Sequence, residues 1–378
     1  MGWIYWPDSE DLSIEFMRLL GAAQEGGSTV SECFLTASRI DPKDDDCWHR
    51  EWKKTADASN ERGNTAFSRG QMLTAQSNWL RAINYYQTAA FRLELADKRQ
   101  QAVLKSMRAC ARRYLEHLPA GGEVVEIPWL DGYPLEGYFL PAPVGPVRAP
   151  VVICMGEPGH RKEEFLYKTA RHARDRGMSL LAVDLLGSGT GVKFEEIVGR
   201  PDLEEAVVHL MDYLTTRRDV DERRIAILGD GAGSSFVARG VALDQRFAAA
   251  VCDGGIWDLH ERAFLMERIS PFGAESGERI GSIARKFKCP VLVTVGEDGW
   301  LEAGRVQELF EKLKRNHRDI TLKIFSREET AASQGHFDNP TLANEFIFDW
   351  IADRLNIAAG QRHLPVQISS TRSKSPAF

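Results

Sequence analysis

The stretch RIAILGDGAGSS, residues 224–235, is the part of the chain that decides the fold. It contains an apolar run without polar alternation, which is typical of a strand buried on both faces. The run ends in GDGAG, and a helical pattern follows. Such a tight turn needs small residues at Gly229 and Gly233, because the helix starts close to the strand. The spacing is that of an elbow that presents a nucleophile at its middle residue, and here that residue is Gly231.

Outward from this turn, apolar runs and helical patterns alternate over residues 122–358. A hairpin pattern with an Asp131-Gly132 turn comes first. Apolar runs without alternation suit strands that are covered on both faces, and helices between them suit a parallel sheet. We therefore predict a mostly parallel, doubly wound α/β core. The other runs are PVVICMG, SLLAVDLLG, FAAAVCDGG, PVLVTVGED and ITLKIFS.

The first third of the chain has a different pattern. Residues 10–117 carry almost no strand signal, and Ala75, Trp79, Ala82 and Tyr86 recur at three- and four-residue steps on one helix face. This part is predicted to be all-helical, and the C-terminal tail, being polar, to be disordered. The predicted division is a helical domain over residues 1–121, a core domain over 122–358 and a tail over 359–378.

Composition excludes several classes of function. The net charge of -6 and the isoelectric point near 5.9 give no basic surface for a nucleic acid. No apolar run is long enough to span a bilayer, and the N-terminus lacks the pattern of a secretory signal. The six cysteines are scattered without metal-ligand spacing, so we expect no metal and no cofactor. Cys154, Cys252 and Cys289 lie in or beside apolar runs, so we expect buried thiols there. A cytoplasmic location is the default expectation.

Polar residues that follow the apolar runs are candidates for chemistry, because an open α/β sheet binds ligands beyond the carboxyl ends of its strands. Asp298 follows the run PVLVTVG, and His336 precedes the last helical pattern. With Gly231 they give the order elbow, acid, histidine, which is the order of the α/β-hydrolase fold. We predict that fold, with His336 and Asp298 as an acid–base pair and Gly231 in the position of the nucleophile.

Several segments between Trp48 and Leu355 carry a more specific resemblance. They are Trp48-His49-Arg50-Glu51-Trp52, Arg81-Ala82-Ile83-Asn84-Tyr85-Tyr86, Leu135-Glu136-Gly137-Tyr138-Phe139, Lys162-Glu163-Glu164-Phe165, Arg176-Gly177-Met178, and Asp184 with Gly187 and Gly189. On these segments the chain resembles the 2,6-dihydroxypseudooxynicotine hydrolase family of carbon–carbon bond hydrolases, which are related to esterase-like proteins and to fungal enzymes that shorten polyketides. The resemblance implies a role in secondary metabolism, a helical cap over the active site and a homodimer. It also implies a triad whose acid and base map onto Asp298 and His336.

Two departures from that family concern the catalytic machinery. The family's triad serine maps onto Gly231, which has no side chain to attack a carbonyl. The family's oxyanion loop maps onto GEPGH, residues 156–160, where Pro158 has no N–H to donate. Glu157 and Ala232 are the predicted residues of the oxyanion region, and the Ala232 N–H survives as one donor. These losses argue against an acyl-enzyme.

Other residues are candidates for the wall of a substrate pocket, each with a structural alternative. Tyr85 and Tyr86 lie in a family-like helix and equally suit the helical core. Asp253 ends a strand and equally suits a structural turn, whereas Asp230 is expected to point away from His336. The full set of pocket candidates is Tyr85, Tyr86, His160, Trp257, Trp300, Asp230 and Asp253.

We expect an enzyme that acts on a cyclic or aromatic, polyketide-like or β-diketone small molecule. His336, oriented by Asp298, would act on water or on an acidic C–H or O–H, which gives C–C hydrolysis, cyclisation or elimination. One alternative is a protein that binds a small molecule without turnover. Another is an engineered form of a serine hydrolase in which Gly231 replaces the serine. The retained acid and base favour the enzyme.

Overall fold

The structure is a computed structural model that describes residues 4–94, 96–130, 133–143, 148–156, 161–184, 204–231, 233–255, 287–315, 317 and 319–357. No helix of these ranges is both long and apolar enough to cross a membrane. The sequence predictions for Glu157, Pro158, His160, Ala232, Trp257 and the tail 359–378 fall outside the described residues.

The N-terminal part of the chain is helical, as its pattern predicts. Its helices are α1 (Glu10–Gly21), α2 (Val30–Ala37), α3 (Asp45–Ser68), α4 (Met72–Ala90) and α5 (Lys98–Glu116). Helix α4 packs against both α3 and α5. The ring of Trp52 lies 5.8 Å from that of Trp48 on α3 and 5.8 Å from that of Tyr85 on α4. Because such rings bury large apolar areas, they stabilise a core inside this helical part.

Within the described ranges, eight strands form one sheet after helix α5. They are β1 (Glu123–Leu130), β2 (Tyr133–Leu140), β3 (Ala149–Met155), β4 (Ser179–Val183), β5 (Val220–Asp230), β6 (Ala249–Asp253), β7 (Val291–Gly296) and β8 (Ile320–Phe325). Their order across the sheet is β1-β2-β4-β3-β5-β6-β7-β8. Strand β2 runs antiparallel to β1 and β4, and the remaining neighbours are parallel. The mostly parallel sheet of the α/β-hydrolase fold is therefore confirmed.

Both faces of the sheet are covered, which explains the continuous apolar runs. Successive residues of a strand point to opposite faces. Val152 and Leu180 thus join a core that continues into the helical N-terminal part, whereas Val151 and Ile153 join the core on the other face. All six cysteines are buried and form no disulfide, including Cys154, Cys252 and Cys289, which were predicted to be buried. The helices of this half are α6 (Glu163–Lys168), α7 (Ala170–Asp175), α8 (Glu205–Thr216), α9 (Gly233–Leu243), α10 (Ala303–Lys314) and α11 (Pro340–Arg354).

The carboxyl ends of three neighbouring parallel strands bring polar side chains together. Asp230 at the end of β5 lies in register with Asp253 at the end of β6, and Asp253 lies in register with Thr294 of β7. The short turn Gln334–His336 lies between β8 and α11. This edge of the sheet is where an open α/β fold places its ligands.

Candidate active site

The turn after β5 keeps the geometry of a nucleophile elbow. A Cβ on Gly229 would lie 2.6 Å from the carbonyl carbon of Gly233, and a Cβ on Gly233 would lie 2.8 Å from the carbonyl oxygen of Met155. Both positions therefore require glycine. Gly231 has a φ of 58°, in the left-handed region that other residues adopt at a cost in strain. The turn thus presents its middle residue as an elbow does, without a side chain that can attack a substrate.

His336 approaches the elbow from the turn between β8 and α11. Its Nδ1 lies 2.6 Å from the carbonyl oxygen of Ala331, and its Nε2 lies 2.9 Å from Oδ1 of Asp253. A carbonyl oxygen can only accept a hydrogen bond, so Nδ1 carries a proton. Nε2 and the Asp253 carboxylate consequently share one further proton. Because 3% of the His336 side chain and 4% of the Asp253 side chain are exposed, water screens this pair little.

Asp253 ends β6 directly beside the nucleophile position. Its backbone oxygen accepts a hydrogen bond from the N–H of Gly231, with an N···O distance of 2.6 Å. Its Oδ1 also accepts a hydrogen bond from the hydroxyl of Thr294 on β7, at 2.7 Å. The elbow therefore holds the backbone of Asp253, whereas Thr294 and the imidazole of His336 hold its carboxylate.

The two charges of this pair stabilise each other. Burial alone would raise the pKa of Asp253, but the charge and the hydrogen bond of His336 hold it below its ordinary value. Burial alone would lower the pKa of His336, but the charge and hydrogen bond of Asp253 and the hydrogen bond to Ala331 hold it above its ordinary value. Both directions favour an ion pair with the shared proton on Nε2.

A second ion pair lies next to the first. Nζ of Lys168, the last residue of α6, is 2.5 Å from Oδ2 of Asp230, and 12% and 3% of these side chains are exposed. Burial alone would lower the pKa of Lys168, but the charges of Asp230 and Asp253 hold it above its ordinary value. We term Lys168, Asp230, Asp253 and His336 the elbow cluster. In its charged form the cluster has two positive and two negative groups.

The structure corrects the predicted partner of His336. Asp298 follows β7 as expected, but its Oδ1 accepts a hydrogen bond from Nε of Arg327 at 2.7 Å. Among the described residues, no hydrogen bond joins Asp298 to His336. Arg327 is an exposed cation on the loop after β8, and its hydrogen bond holds the pKa of Asp298 below the ordinary value. Asp253 instead offers His336 a buried carboxylate at the end of a rigid strand.

The remaining described pocket candidates lie in separate places. Tyr85 and Tyr86 are buried in the helical part, where their hydroxyls donate to carboxylates of neighbouring helices. This placement corrects their assignment to the pocket wall and matches the structural alternative. Trp300 is exposed on the loop after β7. Asp230 pairs with Lys168, and Asp253 is the one pocket candidate in this set that contacts His336.

Two polar members of the site carry little sequence signal. Lys168 ends a short helix with charged residues on both sides, a pattern typical of an exposed face. It is largely covered because the helical N-terminal part packs against α6. Thr294 interrupts the apolar run VLVTVG, and that interruption is the signal that would have indicated it.

A narrow crevice reaches the His336–Asp253 pair. About 10 Å³ of it is open to a water-sized molecule, which is at the lower limit of what one water needs. Within the described residues, no group of three or more His, Cys, Asp and Glu side chains is placed to hold a metal ion. The crevice is lined by Gly254, Val295, Gly296, Leu301, Gln334 and Gly335 beside the pair.

Sequence comparison assigns the family. The profile of the esterase FrsA-like family matches residues 43–263, more than half of the chain. The chain belongs to the esterase FrsA-like family. The match begins just before α3 and runs beyond β6, so membership rests on both the helical part and the elbow.

Curated relatives of this FrsA-like chain are named as hydrolases. It is 30% identical over 276 residues to the hydrolyase poxO of Penicillium oxalicum (strain 114-2 / CGMCC 5302), which covers 70% of this chain and 64% of poxO. It is 31% identical over 263 residues to the 20-hydroxy-prefusarin hydrolase FUS2 of Gibberella moniliformis (strain M3125 / FGSC 7600), which covers 67% of this chain and 62% of FUS2. The chain thus spans less than two thirds of the length of each relative.

Solved structures share the fold over nearly the whole FrsA-like chain. The 2,6-dihydroxy-pseudo-oxynicotine hydrolase superposes with a TM-score of 0.72 at 21% identity, covering 91% of this chain and 97% of that one. AbyA5 superposes with a TM-score of 0.67 at 14% identity, covering 93% and 97%. At these identities the likeness establishes the fold, including its helical N-terminal part.

Proposed function

We propose that the protein is an enzyme whose buried His336–Asp253 pair performs acid–base chemistry on a small cyclic or aromatic, polyketide-like or β-diketone molecule. The observation that carries the proposal is the fixed imidazole. Ala331 holds the proton on Nδ1, so Nε2 is the nitrogen that exchanges a proton with Asp253 or with a ligand. The substrate class rests on the family resemblance and on the hydrolase names of the relatives.

The pair acts as a base after it has lost the shared proton. In this form Nε2 carries no proton and Asp253 is ionised. Because the pKa of His336 lies above its ordinary value, this form becomes populated as the pH rises beyond 6.5. An imidazole base suits proton transfer from water or from a carbon acid between two carbonyl groups. We therefore expect activity to increase as the pH rises above 6.5.

In the hydrolytic version of the reaction, water loses a proton to Nε2 as its oxygen bonds to a carbonyl carbon. The bond from that carbon to the activated carbon then breaks, and the carbon leaving group takes the proton back from Nε2. The carbon leaving group of a β-dicarbonyl substrate is stabilised as an enolate by the remaining carbonyl, so the step does not require a covalent acyl-enzyme. In a cyclisation or elimination, the same pair takes a proton from carbon and returns it to the product or leaving group.

The second candidate function is binding of a small molecule without turnover. The observation in its favour is that both ring nitrogens of His336 are engaged within the protein. A ligand must therefore compete with Asp253 for Nε2. A homodimer, which the family resemblance implies, is part of both proposals.

Turnover of aryl 1,3-diketones by the unmodified protein and by His336→Ala separates the two functions. Loss of the diketone absorbance measures turnover, and calorimetry with the same compounds measures binding. We expect His336→Ala to lower kcat by about 10²–10⁴-fold, the usual contribution of an acid–base group, with the dissociation constant changed far less. His209→Ala on α8, which removes a half-buried histidine, is the matched control and should keep full activity.

Two results would overturn the acid–base proposal. Unmodified protein that binds these diketones without converting them would support the binding function. If the His336→Ala variant still converts the diketones, the protein is an enzyme but His336 is not its acid–base group.

A further inference from the structure

The elbow cluster contains an ion pair that the proposed chemistry does not use. Lys168 and Asp230 are joined at 2.5 Å between Nζ and Oδ2, and both side chains are largely buried. A buried lysine is retained in its charged form only where a carboxylate compensates it. Asp230 immediately precedes the nucleophile position, so this pair is built into the elbow itself.

The pair is positioned by the helical part of the chain. Tyr167, next to Lys168 on α6, accepts a hydrogen bond at its hydroxyl from Nη1 of Arg18 on α1, at 3.0 Å. On the other side, Nδ2 of Asn344 on α11 donates to the backbone oxygen of Lys168 at 3.1 Å. Helix α6 is therefore held between α1 and α11, which fixes where the lysine enters the site.

Asp230 and Asp253 face each other in register on neighbouring parallel strands. Two ionised carboxylates this close repel each other unless cations balance them. Lys168 lies on one side of the two and His336 on the other, and both aspartates affect the charge state of Lys168. The four charges thus alternate in sign in the order Lys168, Asp230, Asp253, His336. A change in the charge of Lys168 therefore affects how tightly His336 binds its proton, through the charge of Asp253.

We propose that the Lys168–Asp230 ion pair is a positioning element that keeps Asp253 ionised and thereby determines how tightly His336 holds the shared proton. The inference deepens the proposed function, on which its catalytic meaning rests. In this inference Lys168 controls the pH at which Nε2 of His336 loses its proton. Lys168 lies outside the motifs of the fold.

Other ionisable groups around His336 do not take this role. Burial raises the pKa of the thiols of Cys154 on β3 and Cys252 on β6 to about 12, so both stay neutral. Asp298 is paired with Arg327. Asp338 lies on the same loop as His336 and accepts hydrogen bonds from backbone N–H groups of that loop. The charge of Glu164 on α6 acts on Lys168.

The direction of the effect follows from the charges. The positive charge of Lys168 lowers the pKa of His336, whereas the charge of Asp253 raises it. Lys168→Gln removes that positive charge, keeps a donor for Asp230 and leaves Asp230 as an excess negative charge. His336 should then bind its proton about tenfold or more tightly, which is the usual effect of one nearby charge. Asp230→Asn leaves the positive charge of Lys168 in excess, which should weaken proton binding by His336.

The test is a titration of the His336 ring by nuclear magnetic resonance in four variants. We expect the pKa of His336 to increase in Lys168→Gln, to decrease in Asp230→Asn, and to return towards the wild-type value in the double variant. Lys168→Arg keeps the positive charge, so His336 should titrate in this variant as it does in the wild type. If Lys168→Gln does not fold, Asp230→Asn carries the test alone.

An unchanged titration in either single variant, or shifts of the same sign in both, would overturn the inference. Because the titration needs no substrate, its outcome is independent of turnover. Opposite shifts in a protein that converts no 1,3-diketone would support the inference and contradict the proposed function.

Discussion

Helix α6 has a lysine at each end, one fully buried and one largely buried, and the two lysines serve different purposes. Lys168 at its C-terminal end belongs to the elbow cluster. Lys162, just before its first residue, lies at 2.8 Å from carboxylate oxygens of both Glu136 and Asp184 and at 3.6 Å from Glu163. We term Lys162, Glu136, Glu163 and Asp184 the anchor cluster. Its lysine is fully buried, and its carboxylates come from β2, α6 and the end of β4.

The difference between the clusters is the histidine. Burial alone would lower the pKa of Lys162, but the charges of Asp184, Glu163 and Glu136 hold it well above the ordinary value. Lys162 therefore stays charged near neutral pH, whereas burial raises the pKa of Asp184 above its ordinary value. The elbow cluster adds His336, whose ordinary pKa is 6.5, beside a turn shaped to present a reacting group. Burial and charge pairing are common to both sites, so the imidazole at the elbow is what distinguishes a candidate for chemistry.

The largest effect that we expect is a loss of stability in the anchor cluster. Lys162→Met removes the cation that the three carboxylates of this cluster share. Removing one partner of a buried ion pair costs about 3–5 kcal/mol, because the remaining charge is left uncompensated. Urea denaturation should show this loss in the free energy of unfolding. Lys54→Met, which removes an exposed lysine of α3, is the control and should leave stability nearly unchanged. Equal stabilities of the two variants would contradict the anchoring role.

A smaller effect concerns the pH dependence of stability in the elbow cluster. The lowered pKa of Asp253 contributes stability above 3.8 that is lost as the pH falls through its folded value. The raised pKa of His336 contributes stability below 6.5 that is lost as the pH rises through its folded value. We therefore compare the free energy of unfolding of the wild type with that of the double variant Asp253→Asn/His336→Gln. The difference should be greatest between pH 3.8 and pH 6.5. Urea denaturation at a series of pH values measures it, and a difference independent of pH would exclude the ion pair.

The fold and the elbow were predictable because local sequence determines them. Runs without alternation require a sheet covered on both faces, and only glycine fits at Gly229 and Gly233, where a Cβ would lie within 3 Å of neighbouring backbone atoms. The order of elbow, acid and histidine along the chain then indicated the fold class. The same pattern correctly placed His336 on the turn before the last helix.

The partner of His336 was not predictable from that order. Asp253 and Asp298 each follow an apolar run at the carboxyl end of a parallel strand, and composition does not distinguish them. The choice depends on the loop from 326 to 336, which turns Nδ1 towards its own Ala331 and places Arg327 against Asp298. Lys168 was missed for a related reason, since its burial depends on a helical part distant in sequence.

The most direct test of the His336–Asp253 pair is the titration of His336 in Asp253→Asn and in Asp298→Asn. The variants remove one carboxylate charge each, at the ends of neighbouring strands. We predict that Asp253→Asn lowers the pKa of His336 by about 1–3 units, the usual effect of losing an adjacent opposite charge, and that Asp298→Asn leaves it unchanged. A pKa that falls in Asp298→Asn and is unaffected by Asp253→Asn would contradict the account and restore the pairing expected from the order of residues.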